Sequence, residues 1–86
     1  MSNTQKTRTT VDIYGQQYVI VGTENPSHIK LVAEMVDDKM REIGSKNPNL
    51  DVNKLAVLTA VNAVNDYMKM KDHLERLQND YQKEKD

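Results

Sequence analysis

From Asp51 to Tyr81 the chain carries neither proline nor glycine, and its apolar residues keep helical time throughout. Ala56, Ala60, Ala63, Tyr67, Met70, Leu74, Leu77 and Tyr81 recur at alternating steps of four and three. That is the a/d seam of a coiled coil sustained over more than three heptads. A second apolar row, Val57, Val61, Val64 and Met68, runs beside it and then gives way to Lys71 and Glu75. The predicted helix is therefore apolar around most of its circumference in its first half and carries a narrow stripe in its second. The first half is expected to lie inside a folded head. The second half is expected to project and to need another helix over its seam. A chain of this design assembles with copies of itself.

Size points the same way. Of 86 residues, a large share belongs to the projecting helix. What remains is roughly fifty to sixty residues, where a monomeric core is marginal. The chain has no Phe, no Trp and no Cys, so the largest buried side chains, disulfides and thiolate metal sites are all missing. Oligomerisation is the remaining source of stability. Absent cysteine fits a reducing compartment. The net charge is −1, and basic and acidic residues are balanced along the chain. No basic face is forced, so nucleic acid is not an expected partner. No apolar run is long enough to cross a bilayer, and the polar start carries no signal-peptide pattern. The expectation is a cytoplasmic protein without a membrane partner.

The first residues, 1–7, read as a disordered tail. Arg8 to Tyr14 alternates Thr9, Val11 and Ile13 against Thr10, Asp12 and Tyr14. Gln17 to Val21 alternates Tyr18 and Ile20 against Val19 and Val21. Gly15-Gln16 between them suits a type II′ turn, with glycine at the first central position. Asn25-Pro26 reads as N-cap and first helical residue. Ile29, Val32, Val36, Met40 and Ile43 then form one helical face with Ala33 beside it, and Gly44 stands where a C′ residue belongs. Asp51 is a suitable N-cap for the long helix, with Leu50 placed to staple against Leu55. The predicted fold is α+β, in the order β-β-α-α. A hairpin and a shorter helix pack on a long C-terminal helix that extends into a coiled coil. The head spans 8–66 and the helical tail 67–86.

No catalytic constellation emerges. His28 and His73 each lack a second histidine at helical spacing, so no metal site is expected. Asp37 and Asp38 are adjacent on a helix, point about 100° apart, and are followed by Lys39 and Arg41. They read as a solvated face or an ionic contact with a partner rather than an acid/base pair. The three glycines are too far apart for a phosphate-cradling loop. No cofactor is expected. Asn62 and Asn65, on the otherwise apolar half of the long helix, are either exposed or paired to set register. Tyr14 and Tyr18 read as hairpin packing residues; stacking on single-stranded nucleic acid would need a basic groove around them.

Three blocks, taken in order, resemble the ZapA family of bacterial cell-division proteins. They are Val11-Asp12-Ile13-Tyr14-Gly15-Gln16-Gln17-Tyr18, Val36-Asp37-Asp38-Lys39-Met40-Arg41-Glu42-Ile43, and Asn53-Lys54-Leu55-Ala56-Val57-Leu58-Thr59-Ala60-Val61-Asn62-Ala63. The resemblance runs from about Thr9 to Met70. It implies a non-enzymatic partner of FtsZ, the tubulin-like GTPase of the division ring, acting at mid-cell. Members of the family bind FtsZ filaments, bundle them, promote ring assembly and lower GTP turnover by stabilising the polymer. They form homodimers and dimers of dimers. Polar residues that fall in the three blocks but off the apolar faces are the candidate FtsZ contacts: Gln16, Lys39, Arg41, Glu42, Asn53 and Lys54. The alternatives are a coiled-coil adaptor with another client and a small nucleic-acid-binding dimer.

Overall fold

The computed structural model describes residues 5–85. Of the expected disordered tail, residues 1–4 lie outside the described part. The element order is β1 (Thr7–Ile13), β2 (Gln16–Gly22), α1 (Pro26–Lys46) and α2 (Val52–Lys85). The α+β order expected from the sequence is the order found. The Thr7 hydroxyl already donates toward Gly22 O and Glu24 O, both at 3.4 Å, closing the open end of the hairpin.

The strands pair antiparallel, from Thr7 opposite Gly22 to Ile13 opposite Gln16. Thr9 and Val11 are buried, while Thr10 and Asp12 face out, so period-two alternation places the inner face correctly. The turn differs from the expectation. Its central residues are Tyr14 and Gly15, with φ of 50° and 77°, not Gly15 and Gln16. Positive φ at both positions is the I′ geometry. Glycine takes it freely, whereas a tyrosine there needs support. That support comes from α1.

Helix α1 starts as its sequence dictates. Asn25 Oδ1 accepts from Ser27 N–H at 2.8 Å, and Pro26 occupies the first turn. It does not end at Gly44. The helix continues to Lys46, and Asn47 is the cap: its N–H donates to Gly44 O and its Nδ2 to Ile43 O. Gly44 serves packing instead. A methyl group there would meet Tyr14 Oη at 3.0 Å and Leu55 Cδ2 at 3.3 Å. The buried line of α1 is Ala33, Met40 and Ile43, with Ile29 half-buried. Val32 and Val36, expected on the core face, stay more than a third exposed, and Val36 lines an open cleft with Val52 and Ala56 of α2.

Asp51 caps α2 through Oδ1, which accepts from Lys54 N–H at 2.9 Å. Leu55 is 2 % exposed and joins Met40 and Ile43, with Ile13 and Tyr14 packed against them. Hairpin, α1 and the start of α2 thus share one small core, as expected. Beyond it the expectation fails. The first half of α2 is not buried: Val57, Val61 and Val64 are each about 60 % exposed. The reason is geometric. One neighbouring helix covers one stripe: Leu55 and Thr59 are buried and Asn62 half-buried, while Asp66 at the end of that stripe is exposed and reaches Lys39. On a helical wheel the seam that begins at Ala56 lies about 80° from that stripe, and the valine row lies nearly opposite it. Every seam side chain from Ala56 to Tyr81 is exposed. The 34 residues of α2 span about 51 Å, close to the longest molecular dimension in a body of 53 × 48 × 16 Å. The radius of gyration is 17.7 Å, against about 12 Å for a compact chain of this length.

Candidate interaction surface

The hairpin turn, the C-terminal half of α1 and the start of α2 meet at Tyr14. Its N–H donates to Asp37 Oδ1 at 2.6 Å. Asp37 Oδ2 accepts from Arg41 Nε at 3.0 Å, one helical turn later. The Arg41 guanidinium lies over the Tyr14 ring, 5.7 Å from its centroid, within cation–π range. One carboxylate therefore holds the turn through one oxygen and the arginine through the other. The Arg41 hydrogen bond, and then that from Tyr14, hold the Asp37 carboxyl below its ordinary 3.8. The expected solvated face at Asp37 is thus an internal contact. Its signal was an acidic residue four positions before a basic one.

Tyr14 borders two clefts. One, of about 510 Å³, is lined by Arg41, Gly44, Asn47, Pro48 and Leu50 among others. Leu50 and Leu55 both line it. The second, of about 410 Å³, lies between the inner face of the hairpin and the helices, and its lining includes Ile13, Tyr18, Ile20, Val36, Met40 and Val52. Its character is apolar, and it is open to solvent.

The six candidate contact residues do not form one patch. Gln16 and Asn53 line the apolar cleft, and Gln16 Oε1 accepts a long 3.5 Å bond from Tyr18 Oη. Arg41 borders the other cleft. Lys39 Nζ pairs with Asp66 Oδ2 at 2.9 Å, tying α1 to α2. This pairing raises the Lys39 ammonium above its ordinary 10.5 and lowers Asp66. Glu42 is exposed on α1. Lys54 borders a shallow apolar surface with Leu50, Val57, Leu58 and Val61. Asn62 is half-buried on the stripe facing α1, and Asn65 is exposed. Sequence reasoning passed over Asp37 and Tyr14 as site organisers. Among the described residues no group of three or more His, Asp or Glu is placed to hold a metal ion. No described helix is long and apolar enough to cross a membrane.

The family profile described as "Cell division protein ZapA" matches residues 9–86. The chain belongs to the ZapA family. Curated relatives agree. The ZapA of Geobacillus sp. strain WCH70 is 66 % identical over 86 residues, covering 100 % of this chain and 99 % of that protein. Those of Bacillus licheniformis and Bacillus subtilis strain 168 are 67 % and 60 % identical, each with 100 % of both chains covered. Among solved structures, a ZapA mutant dimer from Geobacillus stearothermophilus superposes with a TM-score of 0.72 at 54 % identity, covering 95 % of each chain. The resemblance carried by the hairpin and helix blocks is thus borne out as family membership.

Proposed function

We propose that this chain is a non-enzymatic cell-division protein that binds FtsZ filaments, cross-links them into bundles at the mid-cell ring, and slows GTP turnover by stabilising the polymer. Family membership supports the client. The observation that carries the mechanism is the seam from Ala56 to Tyr81, exposed along its whole length. An apolar stripe of that length calls for a partner helix, and the solved Geobacillus stearothermophilus relative is a dimer. The reading is therefore a homodimer, extended by the tails to a dimer of dimers in the cytoplasm. Heads linked through their helices engage two filaments at once. The second contact then benefits from raised effective concentration without needing tighter binding. Modest, reversible affinity per head suits a ring that constricts. Gln16, Lys39, Arg41, Glu42, Asn53 and Lys54 are proposed to contribute to the filament-facing surface, in a salt-sensitive manner.

The experiment is sedimentation and electron microscopy of FtsZ with GTP, with and without this protein. Bundles, co-sedimentation and slower turnover are expected. Turnover that slows equally for an FtsZ unable to polymerise would contradict the polymer-stabilising mechanism.

A further inference from the structure

Arg41 combines exposure with restraint. Its side chain is 60 % accessible, yet Asp37 holds Nε and Tyr14 lies beneath the guanidinium plane. Among the described residues it makes no other hydrogen bond. Neither Nη nitrogen, with four N–H donors between them, is engaged in a hydrogen bond among the described residues. A surface arginine ordinarily loses rotamer freedom when it binds. Here much of that freedom is already lost in folding, so binding has less to order.

The restraint comes from features that hairpin formation does not require. Glycines at both turn positions would close the hairpin without strain, whereas Tyr14 adopts φ of 50°. The tyrosine adds a flat platform under Arg41, beside the cleft of about 510 Å³. Gly44, inside a helix where alanine is favoured, leaves room for the Tyr14 hydroxyl. Ser45, Asn47, Pro48 and Leu50 supply a mixed polar and apolar lining. A planar fork with free Nη donors matches a carboxylate.

We propose that this cleft seats an Asp or Glu side chain of the filament surface, gripped by Arg41, with Asp37 as the positioning residue and Tyr14 as the platform. The assignment rests on the FtsZ-binding reading above and names the chemistry of the contact. Lysine at position 41 would keep the charge but lose both the fork and the fixed orientation. Asparagine at position 37 keeps an oxygen for the Tyr14 N–H but removes the charge that holds Arg41. An acidic residue in place of Pro48 would repel the incoming carboxylate from the cleft lining, away from the Asp37–Arg41 contact.

The test is co-sedimentation of the full chain with GTP-assembled FtsZ filaments at two salt concentrations, for wild type, Arg41→Lys, Asp37→Asn and Pro48→Glu. Mass and helicity are checked for each, and Lys83→Gln on the tail serves as control. Arg41→Lys and Pro48→Glu are each expected to weaken binding about tenfold and Asp37→Asn severalfold, with mass and helicity retained. In Asp37→Asn the Tyr14 amide should stay protected from hydrogen exchange while binding falls, an outcome a purely structural role would not produce. If wild type sediments with filaments and Pro48→Glu and Arg41→Lys do so equally well, the cleft is not the contact and the FtsZ-binding reading survives. If wild type itself stays in the supernatant, that reading fails and takes this assignment with it.

Discussion

Lys39 Nζ lies 2.9 Å from Asp66 Oδ2, the one ion pair between the two helices among the described residues. Up to Asp66, α2 has α1 beside it. After Asp66 its side chains through Lys83 are exposed. The pair therefore marks where intramolecular packing ends and the bare helix begins.

This pair and the Asp37–Arg41 pair give the fold an acid limit. Asp37 and Asp66 both have folded-state pKa values below the ordinary 3.8. The folded chain thus binds fewer protons than the unfolded chain across that range. Their stabilisation is complete above the ordinary carboxylate value and is lost as pH falls through the lower, folded values. Lys39 is raised above 10.5, so its contribution is present below that value and is lost as pH climbs past the raised one. Circular-dichroism melts across pH should show both limbs. Asp37→Asn with Asp66→Asn should flatten the acid limb and leave the alkaline one tied to other groups.

Self-association should fail when the tail seam is charged. Leu74 and Leu77 are more than half exposed in the single chain, and burying a leucine contributes about 1.5–3 kcal/mol. Leu74→Glu combined with Leu77→Glu is expected to yield a smaller species by multi-angle light scattering. An unchanged mass for the double variant would remove the seam from the assembly.

Thr9 is 3 % exposed, and its buried Oγ1 has no hydrogen-bond partner among the described residues. A buried hydroxyl left unpaired costs on the order of 1–3 kcal/mol. Valine has nearly the same shape and belongs in a strand. Thr9→Val should raise the midpoint of thermal unfolding, by about 1 kcal/mol of stability. A lowered midpoint would mean that the hydroxyl finds a partner in the assembled protein.

Gly44→Val should destabilise the head by about 1–3 kcal/mol, the usual cost of overpacking. Tyr14 and Leu55 stand within 3.0 and 3.3 Å of where a Cβ would sit. The Tyr14 ring cannot retreat without disturbing its contact with Arg41. Chemical denaturation is the measure, and a variant as stable as wild type would show that the turn yields.

What was legible in the sequence was local. Asn25 and Asp51 cap their helices because a short side-chain oxygen reaches an N–H two or three residues on, a relation written within one turn of chain. The inner face of β1 follows from alternation alone. The turn lies one residue earlier than its glycine suggests, because Tyr14 at positive φ is held by Asp37, 23 residues away. Gly44 reads as a helix end in the sequence because its actual neighbours, Tyr14 and Leu55, belong to other elements. The apolar row Val57, Val61, Val64 and Met68 reads as buried inside the head, yet each of its side chains is more than half exposed. The sequence pattern does not say whether cover for such a row comes from the same chain or another, and α1 is too narrow to supply it. Of the candidate site, Arg41 was named but its anchors were not, since they converge only in three dimensions.

The unbroken course of α2 from Val52 to Lys85 also makes it a torsionally stiff shaft. Adding one heptad below Asp66 would move a head outward by about 10.5 Å and keep its heading. Adding a single residue would swing it through about 100°. The length of that shaft in whole heptads is then a gear setting: under the bundling function proposed above, it would fix how far apart two cross-linked filaments run and which way each is turned toward the other.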